Sequence, residues 1–452
     1  RASPAARICL RFSTDGVDGR LVPAGNSQAA AQGTNRMRLR VQDPGDRGGR
    51  DATSWPAASA APWTEGQVQA SLLGALLERG AVMGETAGWE RANWFAEEGQ
   101  ERAYRYTWGR QNWFENSAAE HRAVRDGVGL YDMSSFGKIR VEGPDAETVL
   151  NRIAGNDMSV PSGKIVYTQF LNENGGIEAD ITVTRLSEAA YLVVTPAATR
   201  LADQTRIENV AGDARVVVTD VTPGEGVLAV MGPRAREVMK KVSPDDWDDF
   251  PFGTAREIEI GMGLARAHRV SYVGELGWEI YVSSDMAGHV FEVLDEAGRD
   301  FGMKLVGMHA MDSLRIEKAF RHFGHDITPE DHVIDAGLGF AVKTAKPDFI
   351  GRDAVLRRKE AGPELRMVQF LLGDPEPLLY HNEAVLKDGE FVGYTSSGNY
   401  GHHLGAAVGM GYVPAAMAAD DHGWEIEVAG VRVPARASLR PMYDPKSERM
   451  RG

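Results

Sequence analysis

VYTQFLNENGGIEADITVTRL, residues 166–186, is the stretch on which the fold reading turns. Two strand-like runs flank NENGG at 172–176, the second alternating in polarity, and Asn and Gly tolerate the positive φ angles of tight turns. The segment therefore predicts a strand over 165–171, a turn, and a second strand over 177–185. A polar turn and a third run at 190–195 complete an antiparallel meander. Within 177–184, Ile177, Ala179, Ile181 and Val183 share one face, and Glu178, Asp180, Thr182 and Thr184 share the other. On alternation alone, Asp180 reads as a solvated residue on the polar face.

Working outward, helical spacing predicts helices at 117–126 and 144–153 before the meander, and at 286–299 and 309–320 after it. Strands are expected at 256–260, 264–272 and 278–282. Beyond Gly351, strands near 367–372, 391–396 and 431–439 suit a small β-barrel. Leu72, Leu73, Leu76 and Leu77 place a further helix over 68–79, stopped at Gly80. The aromatic-rich stretch 88–114 suits an interdomain or edge-packing segment, with ordinary core packing as the plainer reading. Residues 1–65, dominated by Arg, Ala, Gly, Ser, Asp and Pro without apolar periodicity, are expected to hold little fixed structure. Their Arg- and Ala-rich start resembles a transit peptide but contains Asp15 and Asp18, so a truncated or mistranslated upstream segment is an equal reading. The fold class expected is α+β, in several domains.

Of the 452 residues, 43% are hydrophobic and 25% charged, enough for more than one buried core. A net charge of −14 argues against nucleic acid or an anionic membrane surface as partner. The single cysteine, Cys9, excludes an intrachain disulfide and a cysteine-built metal centre, and fits a reducing cytoplasm. No apolar run reaches the roughly 18 residues of a membrane span.

Several groups could carry chemistry. The strand at 278–282 sets Glu279 and Tyr281 on one side and Trp278, Ile280 and Val282 on the other. A carboxylate there can accept two adjacent N–H donors, although a sheet-edge glutamate is the plainer reading. Asp312 and Arg315, spaced i,i+3, read as a surface pair worth only about 0.2–0.5 kcal/mol. His322, His325, His332, His402 and His403 lack metal-ligand spacing and read as turn and packing residues; no metal is expected. The glycine-rich GMG (261–263) and GAAVGMG (405–411) lack dinucleotide spacing, and no phosphate-binding loop or serine elbow is present.

Taken in order, GAVMGETAGWERANWFA (80–96), YTWGRQNWF (106–114), EHRAVRDGVGLYDMSSFGKIRVEG (120–143), the 166–186 stretch, YVGELGWEIYV (272–282), MDSLRIEKAFRHFGHD (311–326) and AGLGFAVK (336–343) resemble the middle and C-terminal part of dimethylglycine and sarcosine dehydrogenases. The resemblance covers about 70–452. In that family a flavin domain oxidises an N-methylamine, and the fused C-terminal half resembles the glycine cleavage T-protein, an aminomethyltransferase that binds tetrahydrofolate and captures a one-carbon unit.

The resemblance thus implies a T-protein-like folate-binding domain at 116–345, a C-terminal β-barrel domain at 346–452, and a remnant of the central linker domain at 66–115. Residues 1–65 stay unassigned, and FAD is expected only in an absent domain or a flavoprotein partner. It also implies a catalytic role for Asp180, the second position of the family's Asp-Asp pair, where the first is Ala179 here. Glu279 takes the pterin-binding glutamate position, Tyr167 lies in the folate-facing region, and Tyr443 is expected as a cofactor-binding lid contact. The family arginine before D-S-L-R is Met311 here, which removes one polar contact. The function implied is tetrahydrofolate-dependent methylene transfer coupled to N-methylamine demethylation, in the cytoplasm or, in a eukaryote, the mitochondrial matrix. Two alternatives are a stand-alone folate-dependent demethylase and a non-enzymatic folate-binding assembly factor of the iron–sulfur maintenance type. The second carries a cysteine signature, and no cysteine follows Cys9.

Overall fold

The structure is a computed structural model that describes residues 72–452. The expectations for 1–65, and for 68–71 of the first helix, lie outside the described residues. A short helix α1 (Leu73–Glu78) leads into a hairpin of β1 (Ala81–Thr86) and β2 (Trp89–Phe95). Its turn places Ala87 and Gly88 at φ 50° and 85°, the twist that two-residue hairpins favour. Next come α2 (Phe114–Asp126), β3 (Gly129–Asp132), β4 (Gly137–Glu142) and α3 (Ala146–Ile153). The meander follows as β5 (Ile165–Leu171), β6 (Ile177–Ser187) and β7 (Ala190–Thr195). In its first turn, Asn172 Oδ1 accepts the backbone N–H groups of Asn174 and Gly176 at 3.0 and 2.9 Å. A Cβ on Gly176 would stand 2.0 Å from the Pro329 carbonyl oxygen, so only glycine fits there.

The chain continues through α4 (Arg200–Ala211), β8 (Val217–Asp220), β9 (Glu225–Met231), α5 (Ala235–Val242), β10 (Ala255–Ile260), β11 (Gly263–His268) and β12 (Gly277–Ser283). After these stand α6 (Ala287–Arg299), β13 (Lys304–Leu305) and α7 (Met308–Glu317). The last part holds α8 (Arg352–Ala361), β14 (Leu365–Leu372), β15 (Ala384–Lys387), β16 (Glu390–Gly401), β17 (Ala406–Pro414), β18 (Trp424–Val428), β19 (Val431–Ser438) and α9 (Glu448–Arg451).

Strand pairing builds a six-stranded sheet ordered β10-β11-β12-β9-β3-β13, a five-stranded sheet ordered β5-β6-β7-β4-β8, and a closed barrel β14-β17-β16-β15-β18-β19. Each open sheet carries helices on its outer face. Val238 and Met239 of α5 and Phe291 and Leu294 of α6 pack with Trp278 and Ile280 of β12. Leu150 and Ile153 of α3 and Ile207 of α4 pack with Ala179, Ile181 and Val183 of β6. Between the inner faces lie Leu192, Val227, Ala229, Tyr281 and Leu314. The α+β architecture with a C-terminal barrel is as the sequence led us to expect.

The sequence reading assigned no strand to GAAVGMG at 405–411, yet it forms most of β17, whose glycines let Tyr394 and Leu379 approach the strand backbone closely. The aromatic stretch opens on the β1–β2 hairpin, and Leu72, Leu76, Ala81 and Ala92 share the core that holds Trp247 and Trp278.

Candidate functional site

Strand register brings the first group of side chains together. Gln169 of β5 lies directly opposite Asp180 of β6, and Tyr167 opposite Thr182, so these four side chains share a sheet face. The alternate positions, Phe170 opposite Ala179 and Val166 opposite Val183, fill the core behind. Asp180 is not the solvated surface residue that alternation alone described. Gln169 Nε2 donates to its Oδ1 at 2.8 Å. Burial raises its pKa to about 6, against the opposing influence of hydrogen bonds from Gln169 and Tyr167 and of the Arg321 charge. Tyr167 stacks on Phe340 with ring centroids 6.1 Å apart.

Glu279 and Tyr281 point inward from β12 while Trp278, Ile280 and Val282 enter the helix-covered core. The Tyr281 hydroxyl donates to Glu279 Oε2 at 2.7 Å; among the described residues nothing donates to Oε1. Burial, partly offset by that hydroxyl, raises Glu279 to about 7. The buried His268 ring packs on Tyr281 at 4.2 Å.

Asp180, Tyr167 and Glu279 line one cavity of about 1920 Å³, bounded by both sheets, α7 and the barrel strand β16. Its size exceeds the roughly 300–1,000 Å³ of a pocket for one small ligand. Tyr443 does not line it. Instead its ring lies 3.8 Å from the Arg125 guanidinium and its hydroxyl donates to Glu275. The expected lid contact is thus a buried member of an ionic cluster.

The cavity also takes in residues the sequence reading passed over. Asp312 and Arg315 are not a surface pair: Arg315 is 2% exposed and its guanidinium reaches Asp312 at 2.7 Å and the fully buried Asp326 at 2.7 Å. Asn399 of β16 donates to the other Asp312 oxygen at 2.6 Å. Tyr104, Trp113 and His309 form an aromatic wall, with Trp113 and His309 stacked at 5.2 Å. His322 and His325 face each other at 4.7 Å in the same cavity, and burial together with Arg315 pushes His322 down to about 4. No group of three metal-ligating side chains occurs among the described residues. The i,i+3 spacing in 312–315 was the available signal, but spacing cannot tell a helix face on a cavity from one on solvent.

Carboxylates with raised pKa values in a large cavity are a pattern that enzymes share. A family model described as GCVT N-terminal domain matches residues 72–346, and one described as glycine cleavage T-protein C-terminal barrel domain matches 366–444. A solved structure of glycine cleavage system aminomethyltransferase T from Bartonella henselae superposes with a TM-score of 0.73 at 27% identity, covering 84% of this chain and 98% of that one. The molecule is a transferase-like enzyme by fold and kinship. The chain belongs to the glycine cleavage T-protein family, in the part of it related to N-methylamine dehydrogenases. It is 45% identical over 381 residues to 4-methylaminobutanoate oxidase (formaldehyde-forming) of Paenarthrobacter nicotinovorans, covering 83% of this chain and 46% of that protein. To human mitochondrial dimethylglycine dehydrogenase it is 33% identical over 372 residues, covering 81% and 43% respectively. The chain therefore spans about half the length of these relatives.

Proposed function

We propose that this chain binds tetrahydrofolate in the central cavity and accepts a one-carbon unit released by demethylation of an N-methylamine. The observation that carries the proposal is the pair Asp180 and Glu279, both with raised pKa values and both lining one cavity. The donor set suits a pterin: Glu279 keeps one oxygen without a protein donor, and a pterin edge presents adjacent N–H groups. When bound, tetrahydrofolate supplies the nucleophilic amine that captures the carbon.

The protein's part is binding, orientation and proton handling. The ionised Glu279 accepts the pterin donors, so affinity falls as pH drops through about 7. With its pKa near 6, Asp180 is mostly ionised at pH 7.5 and takes up the proton that the attacking amine loses, or stabilises a nearby cation. Gln169 and Tyr167 hold its carboxylate in one orientation. The one-carbon donor is an N-methylamine oxidised by a flavoprotein component, in keeping with the activities named for the relatives.

Fluorescence titration with tetrahydrofolate, paired with an assay of 5,10-methylenetetrahydrofolate formation, tests this reading. Asp180→Asn should leave binding within about three-fold and lower transfer by about 10²-fold or more. Glu279→Gln should weaken binding itself. Unchanged transfer by Asp180→Asn sinks the assignment.

A further inference from the structure

Arg91 stands opposite Gly84 in the β1–β2 hairpin and lines the cavity. Its Nε is sealed from solvent without an acceptor, and its guanidinium has no hydrogen bond or ion pair among the described residues. The neighbouring cavity arginines Arg315 and Arg321 are satisfied. Arg315 is held by Asp312 and Asp326, and Arg321 donates to the Ala319 and Ala336 carbonyls at 2.7 and 3.1 Å.

The groups nearest in charge to Arg91 are committed elsewhere. Asp312 gives one oxygen to Arg315 and the other to Asn399. The Tyr104 hydroxyl accepts from Asn93 at 2.7 Å and meets His309 at 3.3 Å. Burial lowers the Arg91 pKa, with Tyr104 and Asp312 working in the opposite sense. The hairpin is held in place for this: a Cβ on Gly307, just before α7, would lie 2.2 Å from the Asn93 carbonyl oxygen, so glycine lets β2 press against the helix start. Met311 on that helix lines the cavity and supplies no charge.

A half-buried guanidinium with an unused donor fork is matched by a carboxylate, which accepts two parallel N–H bonds and balances the charge. We propose that Arg91 anchors a ligand carboxylate at the end of the cavity walled by β2, Tyr104 and α7. Two sources share that chemistry, the glutamyl side chain of a folate and the acid group of an N-methylamino acid. Only the first source rests on the folate reading above.

Calorimetric titration of the whole chain separates them, with tetrahydrofolate, tetrahydropteroate, 4-methylaminobutanoate and the methyl ester of 4-methylaminobutanoate as probes. Arg91→Gln should weaken the carboxylate ligand about ten-fold or more, with Arg91→Lys between it and wild type. A loss confined to tetrahydrofolate, with tetrahydropteroate unaffected, assigns the glutamyl group. A loss confined to 4-methylaminobutanoate assigns the amino acid, and the proposal then stands even where tetrahydrofolate fails to bind wild type and the folate reading falls. If Arg91→Gln does not fold, the unmodified chain decides: at least one of the two acids must bind about ten-fold or more tighter than its carboxylate-free counterpart. In both acid and counterpart pairs, equal affinities or equal losses in Arg91→Gln overturn the proposal, as does no binding of either carboxylate by wild type.

Discussion

Asp180 holds a carboxyl where solvent is scarce, and its pKa of about 6 records the cost of ionising it there. The folded-state pKa lies above the unfolded value, so the ionised group destabilises the fold above about pH 6, and the penalty vanishes below the unfolded value near 4. Asp180→Asn, which cannot ionise, should therefore be more stable than wild type at pH 7.5, by about 1–3 kcal/mol once solvent access through the cavity is allowed for. The gain should fade as pH approaches 4. Thermal unfolding of both proteins at pH 7.5 and 4 measures it, and an equal or lower midpoint for the variant at pH 7.5 contradicts the account. A stabilising Asp180→Asn is the outcome that the chemical role proposed for this carboxyl leads us to expect.

At the scale of elements, period-2 alternation made both site strands legible, because one residue's shift would turn every side chain to the wrong layer. What alternation could not supply was the identity of the polar side's environment: β6 and β12 each show a polar face to the interior cavity rather than to the outer surface. The hairpin β1–β2 was hidden for another reason: Trp89, Ala92 and Trp94 are buried at uneven spacing, the register shifts between Val82 and Met83, and the polar Arg91 and Asn93 face the cavity. Helix α7 makes the same point with a measurable consequence. Its Arg315 was legible only as an i,i+3 partner of Asp312, an exposed pair worth at most about 0.5 kcal/mol. In the fold it neutralises Asp326, which is fully buried and, among the described residues, otherwise receives only Ser396, Ser397 and the His322 N–H. Arg315→Met should cost about 3–5 kcal/mol, because it strands a buried charge. Arg315→Lys should fall between, keeping the charge without the fork. Urea denaturation decides, and a loss below about 0.5 kcal/mol for the methionine variant would return the pair to the surface class.

Across the whole molecule, the sheets and the barrel meet along α7, and no local pattern could have announced that seam because its partners lie far apart in sequence. Gln369 of β14 donates to the Ile316 and Glu317 carbonyls at 2.6 and 3.0 Å, and Ser313 donates to the Tyr400 carbonyl at 2.6 Å. Glu317 ties both sides. One oxygen accepts the backbone N–H groups of His403 and Leu404 at 2.8 and 3.0 Å, and the other meets Arg125 at 3.0 Å and His121 at 3.3 Å. Burial opposes its ionisation, yet His121, Arg125 and the backbone donors together lower its pKa to about 2. Burial lowers the pKa of His121, with Glu317 working in the opposite sense, and Arg125 supplies the permanent countercharge. A folded pKa below the unfolded value means that this stabilisation is complete above about pH 4.5 and is lost as pH falls toward 2. Sheets and barrel should consequently unfold in one calorimetric transition at pH 7. As the solution is acidified below pH 4.5, the seam should weaken first and the transition should split. Glu317→Gln loses the charge-assisted bonds at every pH, so it should show the lowered and divided transition already at pH 7 and a flatter pH dependence below 4.5. A single transition with an unchanged midpoint in that variant would mean that apolar packing alone joins the two parts.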